Sequence, residues 1–159
     1  MTTQKIIVRI GWLLPAFGTL ALASAGQAQT PSQIQKTFQT YYNAQDAAFA
    51  RNDPQGTTAY FANDFNGLAR QRQDVKEIHQ LASKSATGHT DIKHLTLNPA
   101  KNAADIVIQT RYVAVSVNPH SHKTMTIVIS GVYQETWAKR PEGWRITEQR
   151  RISTHTTAA

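Results

Sequence analysis

Glu135-Thr136-Trp137-Ala138-Lys139-Arg140-Pro141-Glu142-Gly143-Trp144-Arg145-Ile146 reads as two strands joined by a turn at Arg140 to Gly143. Apolar and polar residues alternate on both sides of that turn, the period of a strand with one covered face. The same alternation extends over Lys123 to Lys139 on one side and Trp144 to Ser153 on the other. Upstream, Asp105 to Val117 is another long strand, joined through the turn Asn118-Pro119-His120-Ser121-His122. Ile92 to Leu97 precedes it and is halted at Asn98-Pro99.

Before Gly88 the period is helical. Ile34, Phe38, Tyr41, Tyr42, Ala48 and Phe49 recur at helical spacing, and Asn52-Asp53-Pro54 stops that helix because a residue before proline is pushed out of the helical region. Thr57 to Phe61 reads as a second, short helix, and Phe65 to Arg72 as a short extended pair turning near Gly67. Asp74, with Glu77 three residues on, forms a capping box for a third helix from Val75 to Lys84, with Ser85 to Gly88 as its exit. The Thr/Ala-rich tail after Ser153 has no pattern. Helices followed by a run of antiparallel strands predict an α+β domain, three helices packed on one face of a curved sheet.

Lys5 and Arg9, the apolar stretch from Ile10 to Leu22 and the small residues Ala23 to Ala28 follow the order of a cleavable export signal. Pro15 and Gly18 interrupt a stretch already shorter than the roughly 20 apolar residues of a membrane span. Cleavage is placed after Ala28, with Ala25 as the alternative. Removal of residues 1–28 from the 159-residue chain leaves 131, a single domain over 29–159 that is expected to be periplasmic or secreted. Cysteine is absent, which excludes disulfides and thiolate metal sites. The chain is basic, 17 Lys+Arg against 10 Asp+Glu, and loss of Lys5 and Arg9 with the signal leaves +5. Those charges are scattered rather than striped, so no nucleic-acid partner is expected, nor a membrane once the signal is removed.

Two local patterns carry a resemblance. One is Ala48-Phe49-Ala50-Arg51-Asn52-Asp53 followed by Tyr60-Phe61-Ala62-Asn63-Asp64-Phe65; the other is the hairpin with Trp137 and Trp144 flanking its glycine-containing turn. With the order of elements, they resemble the nuclear transport factor 2-like superfamily, particularly its SnoaL-like branch, over about Ile34 to Ser153. The resemblance implies a cystatin-like, cone-shaped sheet wrapped around the long first helix, a pocket at the open end, and frequent dimers. It fixes no activity, since such folds host unrelated functions.

The turns set the register. With Arg140 to Gly143 as a loop, Lys139 faces Trp144, Trp137 faces Ile146, Glu135 faces Glu148 and Tyr133 faces Arg150. Across the other turn, Val117 meets Thr124, Tyr112 meets Ile129, Thr110 meets Gly131 and Ile108 meets Tyr133. One face then carries Ile106, Ile108, Thr110, Tyr112, Ala114, Met125, Ile127, Ile129, Tyr133, Glu135, Trp137, Ile146, Glu148, Arg150 and Ile152, and this face is placed against the helices. Glu135 and Glu148 are thereby expected opposite one another in a half-dry site, where one pKa should rise and the pair could serve as general acid and base. The plainer alternative is an ion pair with Arg150, or a pair at the wet rim. Tyr42, Tyr112, Tyr133, Trp137 and Arg150 are the expected ligand contacts. The opposite face, with Val113, Val115, Val117 and Val128 among Thr and Ser, is apolar enough to predict a homodimer through the outer side of the sheet.

No metal or other cofactor is expected. His120 and His122 lack a third ligand, and His79 and His94 are ordinary candidates for satisfied or exposed histidines. In isomerase-like members of the superfamily, the base carboxylate lies a few residues beyond the second helix. That position falls near Ala69, which cannot take a proton. The oxyanion tyrosine of those enzymes falls near Gln45, with Tyr41 and Tyr42 a turn away. Isomerase chemistry by that route is therefore disfavoured, and no dehydratase-like His/Asp arrangement is evident.

Three functions remain. The leading one is an exported domain binding a small, largely apolar molecule in its cone. The second is a proton-transfer enzyme of isomerase, dehydratase or cyclase type, with Glu135 or Glu148 as base and Tyr133 or Tyr112 as hydrogen-bond donor. The third is an oligomerising module whose cone is filled by its own side chains.

Overall fold

Thr30 opens the first helix with a reciprocal cap. Its hydroxyl accepts from the Gln33 N–H at 3.3 Å while the Gln33 side chain accepts from the Thr30 N–H at 2.8 Å. Pro31 occupies the first turn, where a missing N–H costs nothing. The helix, α1, spans Pro31–Ala50 and buries one stripe: Ile34, Phe38, Tyr42, Gln45, Asp46 and Phe49. The computed structural model describes residues 30–118 and 120–159, so the export signal expected over 1–28 lies outside the described residues. Among the described residues no helix is long and apolar enough to cross a membrane.

The next two helices start earlier than their sequence reading placed them. Asp53 caps α2 (Pro54–Thr57) by accepting from the Gly56 N–H at 2.9 Å, so the short helix begins at the proline and ends where it was expected to begin. The third helix, α3 (Leu68–Leu81), starts from Gly67, whose φ of 102° is a left-handed turn that glycine adopts without strain. The extended pair expected over Phe65 to Arg72 is therefore not formed. Asp74 is not a cap; it lies inside α3 and pairs with Arg70 one turn earlier at 2.6 Å.

Four strands follow: β1 (Ser85–Leu97), β2 (Ala103–Val117), β3 (Thr124–Arg140) and β4 (Gly143–Ala158). They form one antiparallel sheet in chain order. Ser85 to Gly88, expected to close a helix, instead pair with Tyr112 to Val115. The tail expected to lack pattern is also strand, since its β-branched threonines continue the ladder as far as Ala158.

The β2–β3 register agrees with the sequence reading along its whole length, from Val117 opposite Thr124 to Ile108 opposite Tyr133 and on to Ala103 opposite Ala138. The β3–β4 register does not. It begins as expected, Lys139 opposite Trp144 and Trp137 opposite Ile146, and then shifts twice, between Thr136 and Trp137 and between Val132 and Tyr133. Each shift leaves one extra residue in β4, Thr147 and then Ile152, a bulge that bends the strand and reverses the facing of the residues beyond it. Glu148 consequently lies opposite Thr136, Gln149 opposite Glu135, Arg150 opposite Gln134 and Arg151 opposite Tyr133. The expected Glu135–Glu148 and Tyr133–Arg150 pairs are not formed. Ile152, expected inward, is 53% exposed, as is Met125 near the turn end of β3 at 45%.

The helices cover the face predicted to be inward. Phe38, Tyr42, Ile106, Trp137 and Ile146 are essentially inaccessible, and Ile108 is close to it. Phe38 meets Trp137 and Trp144 edge-on, each with ring centroids 5.1 Å apart. The strand that pins this core also holds the segment between α2 and α3. Ile146 donates its N–H to the Tyr60 carbonyl at 2.7 Å and accepts from the Ala62 N–H at 2.9 Å. On the outer face, Val113, Val115, Val117 and Val128 are half-buried.

Candidate functional site

The sheet curls away from α1 and leaves a cavity of about 710 Å3 between α1, α3 and the inner faces of all four strands. Its inner end is organised by Glu135. The side chain is 2% exposed, and three neutral donors from three elements converge on it. Tyr42 of α1 donates its hydroxyl to Oε2 at 2.7 Å, Trp137 of β3 donates its indole N–H to the same oxygen at 2.9 Å, and Gln149 of β4 donates its amide to Oε1 at 2.8 Å. Burial pushes the Glu135 carboxyl above the usual carboxylate range, and the three donors restrain that rise. The Tyr42 hydroxyl is pushed far up by its own burial and by the neighbouring carboxylate, so it remains a donor.

Asp46 stands one turn farther along α1 and is 8% exposed. The Thr90 hydroxyl of β1 donates to its Oδ1 at 2.9 Å. The Thr90 backbone acts on the same carboxylate, which lines the cavity and, among the described residues, takes no other side-chain donor. Burial raises this carboxyl as well, with Thr90 and the more distant His89 opposing.

Two glycines make room for the tyrosine rings of the cavity. A Cβ on Gly88 of β1 would stand 3.0 Å from the Tyr112 ring and 3.2 Å from Asp46 Oδ1, so the bare backbone lets the ring lie flat across it toward the carboxylate. On β3, a Cβ on Gly131 would fall 2.5 Å from the Tyr133 ring. Burial pushes the Tyr112 hydroxyl up first, and the charges of Asp46, Tyr133 and Glu135 add to the rise while Thr90 opposes it. Phe49 packs on Tyr112 at 4.6 Å between centroids and completes the apolar wall there. Arg151, Thr154 and Thr156 of β4 line the opposite wall.

Of the residues singled out from sequence, Tyr42, Tyr112, Tyr133 and Glu135 line the cavity. Trp137 lies behind the wall, where its indole N–H meets both Glu135 and the Tyr42 hydroxyl, the latter at 3.1 Å. Glu148 and Arg150 are exposed on the outer side, where Arg150 donates to Gln134 at 2.7 Å. Two facing carboxylates are thus replaced by Glu135 facing Gln149, a donor, because of the extra Thr147. Asp46, Thr90, Gln149 and Arg151 were missed. Asp46 was findable, since it falls four residues after Tyr42 and three before Phe49 on the stripe that α1 buries. The β4 residues carried no such signal.

Gln45, the position matched to an oxyanion tyrosine, donates instead to the Thr57 carbonyl at 2.9 Å and ties α1 to α2. His120 and His122 are exposed in the β2–β3 turn, where Asn118 Oδ1 accepts the His120 N–H at 2.9 Å. Among the described residues no group of three or more His, Asp or Glu gathers as a metal site.

No family model and no curated protein sequence matches the chain. Solved structures do. A nuclear transport factor 2-like superfamily protein from Salmonella enterica is similar with a TM-score of 0.52 and 16% identity over 80% of this chain and 92% of its own. A cystatin-like domain of unknown function from Nostoc punctiforme is similar with a TM-score of 0.54 and 13% identity over 77% and 78%. A type 2 hexachlorocyclohexane dehydrochlorinase is similar with a TM-score of 0.54 and 9% identity over 78% and 88%. Helices leading into a curved four-stranded antiparallel sheet, together with these likenesses, give the chain the α+β nuclear transport factor 2-like, cystatin-like fold.

Proposed function

We propose that this chain is an exported, SnoaL-like domain that binds a small, largely apolar molecule in its cone, with the ligand's polar end toward Asp46 and Tyr112. The cavity carries this reading. At about 710 Å3 it falls in the roughly 300–1,000 Å3 range of small-molecule sites. Its rings and isoleucines supply apolar wall, and two buried carboxyls, Asp46 and Glu135, stand among them, an arrangement that gives both affinity and orientation. A cone filled by its own side chains would leave no such space, so the oligomerising module is the weaker reading. Native mass spectrometry of protein recovered from the exporting cell tests the proposal. It should show a retained small molecule that an Ile129→Trp variant, with its cavity filled, no longer carries. The same adduct on that variant would overturn it. The spectrum should also show a chain starting at Gln29, and a dimer formed through the outer valine face.

A proton-transfer enzyme is the second reading, favoured by a raised carboxyl that opens onto the cavity. Asp46 suits the role of base better than Glu135. Glu135 already accepts three hydrogen bonds from three elements, whereas Asp46 is held by Thr90 alone, with the Tyr112 ring near it across Gly88.

A further inference from the structure

Charge is distributed unevenly between the cavity and the rest of the chain. The whole sequence carries +7, yet four carboxylates line the cavity against a single basic side chain, Arg151. Two of the four, Asp74 and Glu77, face Arg70 on the surface of α3 at 2.6 and 3.6 Å and are largely answered there. Asp46 and Glu135 are not answered. Among the described residues neither lies within ion-pair distance of a lysine, arginine or histidine. Glu135 at least has three neutral donors from three elements; Asp46 has Thr90 alone, although it is more than nine-tenths buried and lines the cavity.

A buried carboxylate without a cation is costly, and a cation brought to it recovers much of that cost. The walls nearest Asp46 are aromatic, Phe49 and Tyr112, and ring faces attract a desolvated cation. We propose that the cavity selects small ligands carrying a cationic nitrogen, a protonated amine or a quaternary ammonium, seated against Asp46 with the apolar part of the ligand along the rings. The inference rests on the binding reading above and deepens it by naming the ligand's charge. Arg151, exposed at the rim opposite, leaves room for a competing anion-binding arrangement, and the test separates the two.

Three probes of similar size supply it: phenethylamine, which is an ammonium at neutral pH; phenethyl alcohol, its neutral counterpart; and phenylacetate, an anion. Each is titrated against the mature domain by isothermal calorimetry and by NMR shifts of the Tyr112 and Thr90 amides. The ammonium should bind about tenfold or more tighter than the alcohol, a difference of roughly 1.4 kcal/mol, and phenylacetate should bind weakest. Asp46→Asn should bring the ammonium-to-alcohol ratio near one, with a urea midpoint close to the parent's to show that the variant is folded. Arg151→Gln should leave the ratio unchanged. Alcohol binding as tightly as ammonium, tighter binding of phenylacetate, or a preference that survives Asp46→Asn would overturn the proposal while leaving the cone a binding site. Failure of all three probes to bind at millimolar concentration would count against the binding reading itself and the proposal with it.

Discussion

Glu135 and Asp46 are both carboxyls on the inner wall of one cone, both buried, and both raised by that burial, yet they are held in opposite ways. Glu135 is fixed by Tyr42, Trp137 and Gln149, one each from α1, β3 and β4, so its hydrogen bonds lock the helix to two strands. Asp46 is held by Thr90 alone and lines the cavity. The difference separates a polar group that organises the fold from one free to meet a ligand. Burial alone does not distinguish them; the count of donors does.

The largest consequence lies behind Glu135. Trp137→Ala removes a fully buried ring from contact with Phe38, Tyr41 and Tyr42 and one donor from the carboxylate. It should cost about 3–5 kcal/mol, read as a lowered urea midpoint. Glu135→Ala follows closely. It orphans the Tyr42 hydroxyl and frees the Gln149 amide, leaving the Trp137 N–H with the Tyr42 hydroxyl as its acceptor, and should cost about 3 kcal/mol, since each orphaned buried donor costs about 1–3 kcal/mol. Glu135→Gln keeps the shape and one acceptor and should cost less. Asp46→Asn, by contrast, should stay within about 1 kcal/mol of the parent in stability, because only Thr90 is at stake and the amide keeps an oxygen to accept from it. Equal losses for the two carboxyl variants would erase the distinction.

A subtler expectation concerns pH. Both carboxyls are raised in the folded state, so between the ordinary carboxylate range and their folded values the native chain holds protons that the unfolded chain has released. Stability from these groups is therefore full below the unfolded pKa and declines as pH rises through the folded values. Glu135→Gln should flatten that decline in a series of urea melts, and a slope identical to the parent's would contradict the assignment. The smallest effect on stability is expected on the other side of the sheet. Val113→Lys and Val128→Lys lie on half-buried outer positions and should change monomer stability by no more than about 0.5 kcal/mol. They should nevertheless convert the proposed dimer to monomer by light scattering.

The two hairpins show how far side-chain pattern alone reaches. The β2–β3 ladder was legible because isoleucines, Tyr112 and Tyr133 alternate with polar residues, so a slipped register would have exposed them. Beyond Ile146 that guide vanishes. Thr147, Glu148, Gln149, Arg150 and Arg151 are all polar, either parity satisfies the pattern, and the bulge at Thr147 chooses the one that turns Gln149 and Arg151 inward. The same uniformity hid β4's extension through its threonines. At the other end, Gly67 read as a turn when it is the start of α3, since a left-handed glycine serves both purposes. The aromatic side of the site was therefore visible in the sequence, while its β4 wall waited on backbone irregularity that side-chain type does not encode.

Site-resolved NMR titration of the carboxyl carbons, with Glu135 and Asp46 assigned, bears most directly on the claim that both are buried in the wall of one cavity with unequal restraint. Both should titrate above the ordinary carboxylate range of about 4, and an added ammonium probe should move Asp46 strongly and Glu135 little. Two carboxyls titrating like exposed acids, or a response confined to Glu135, would contradict it.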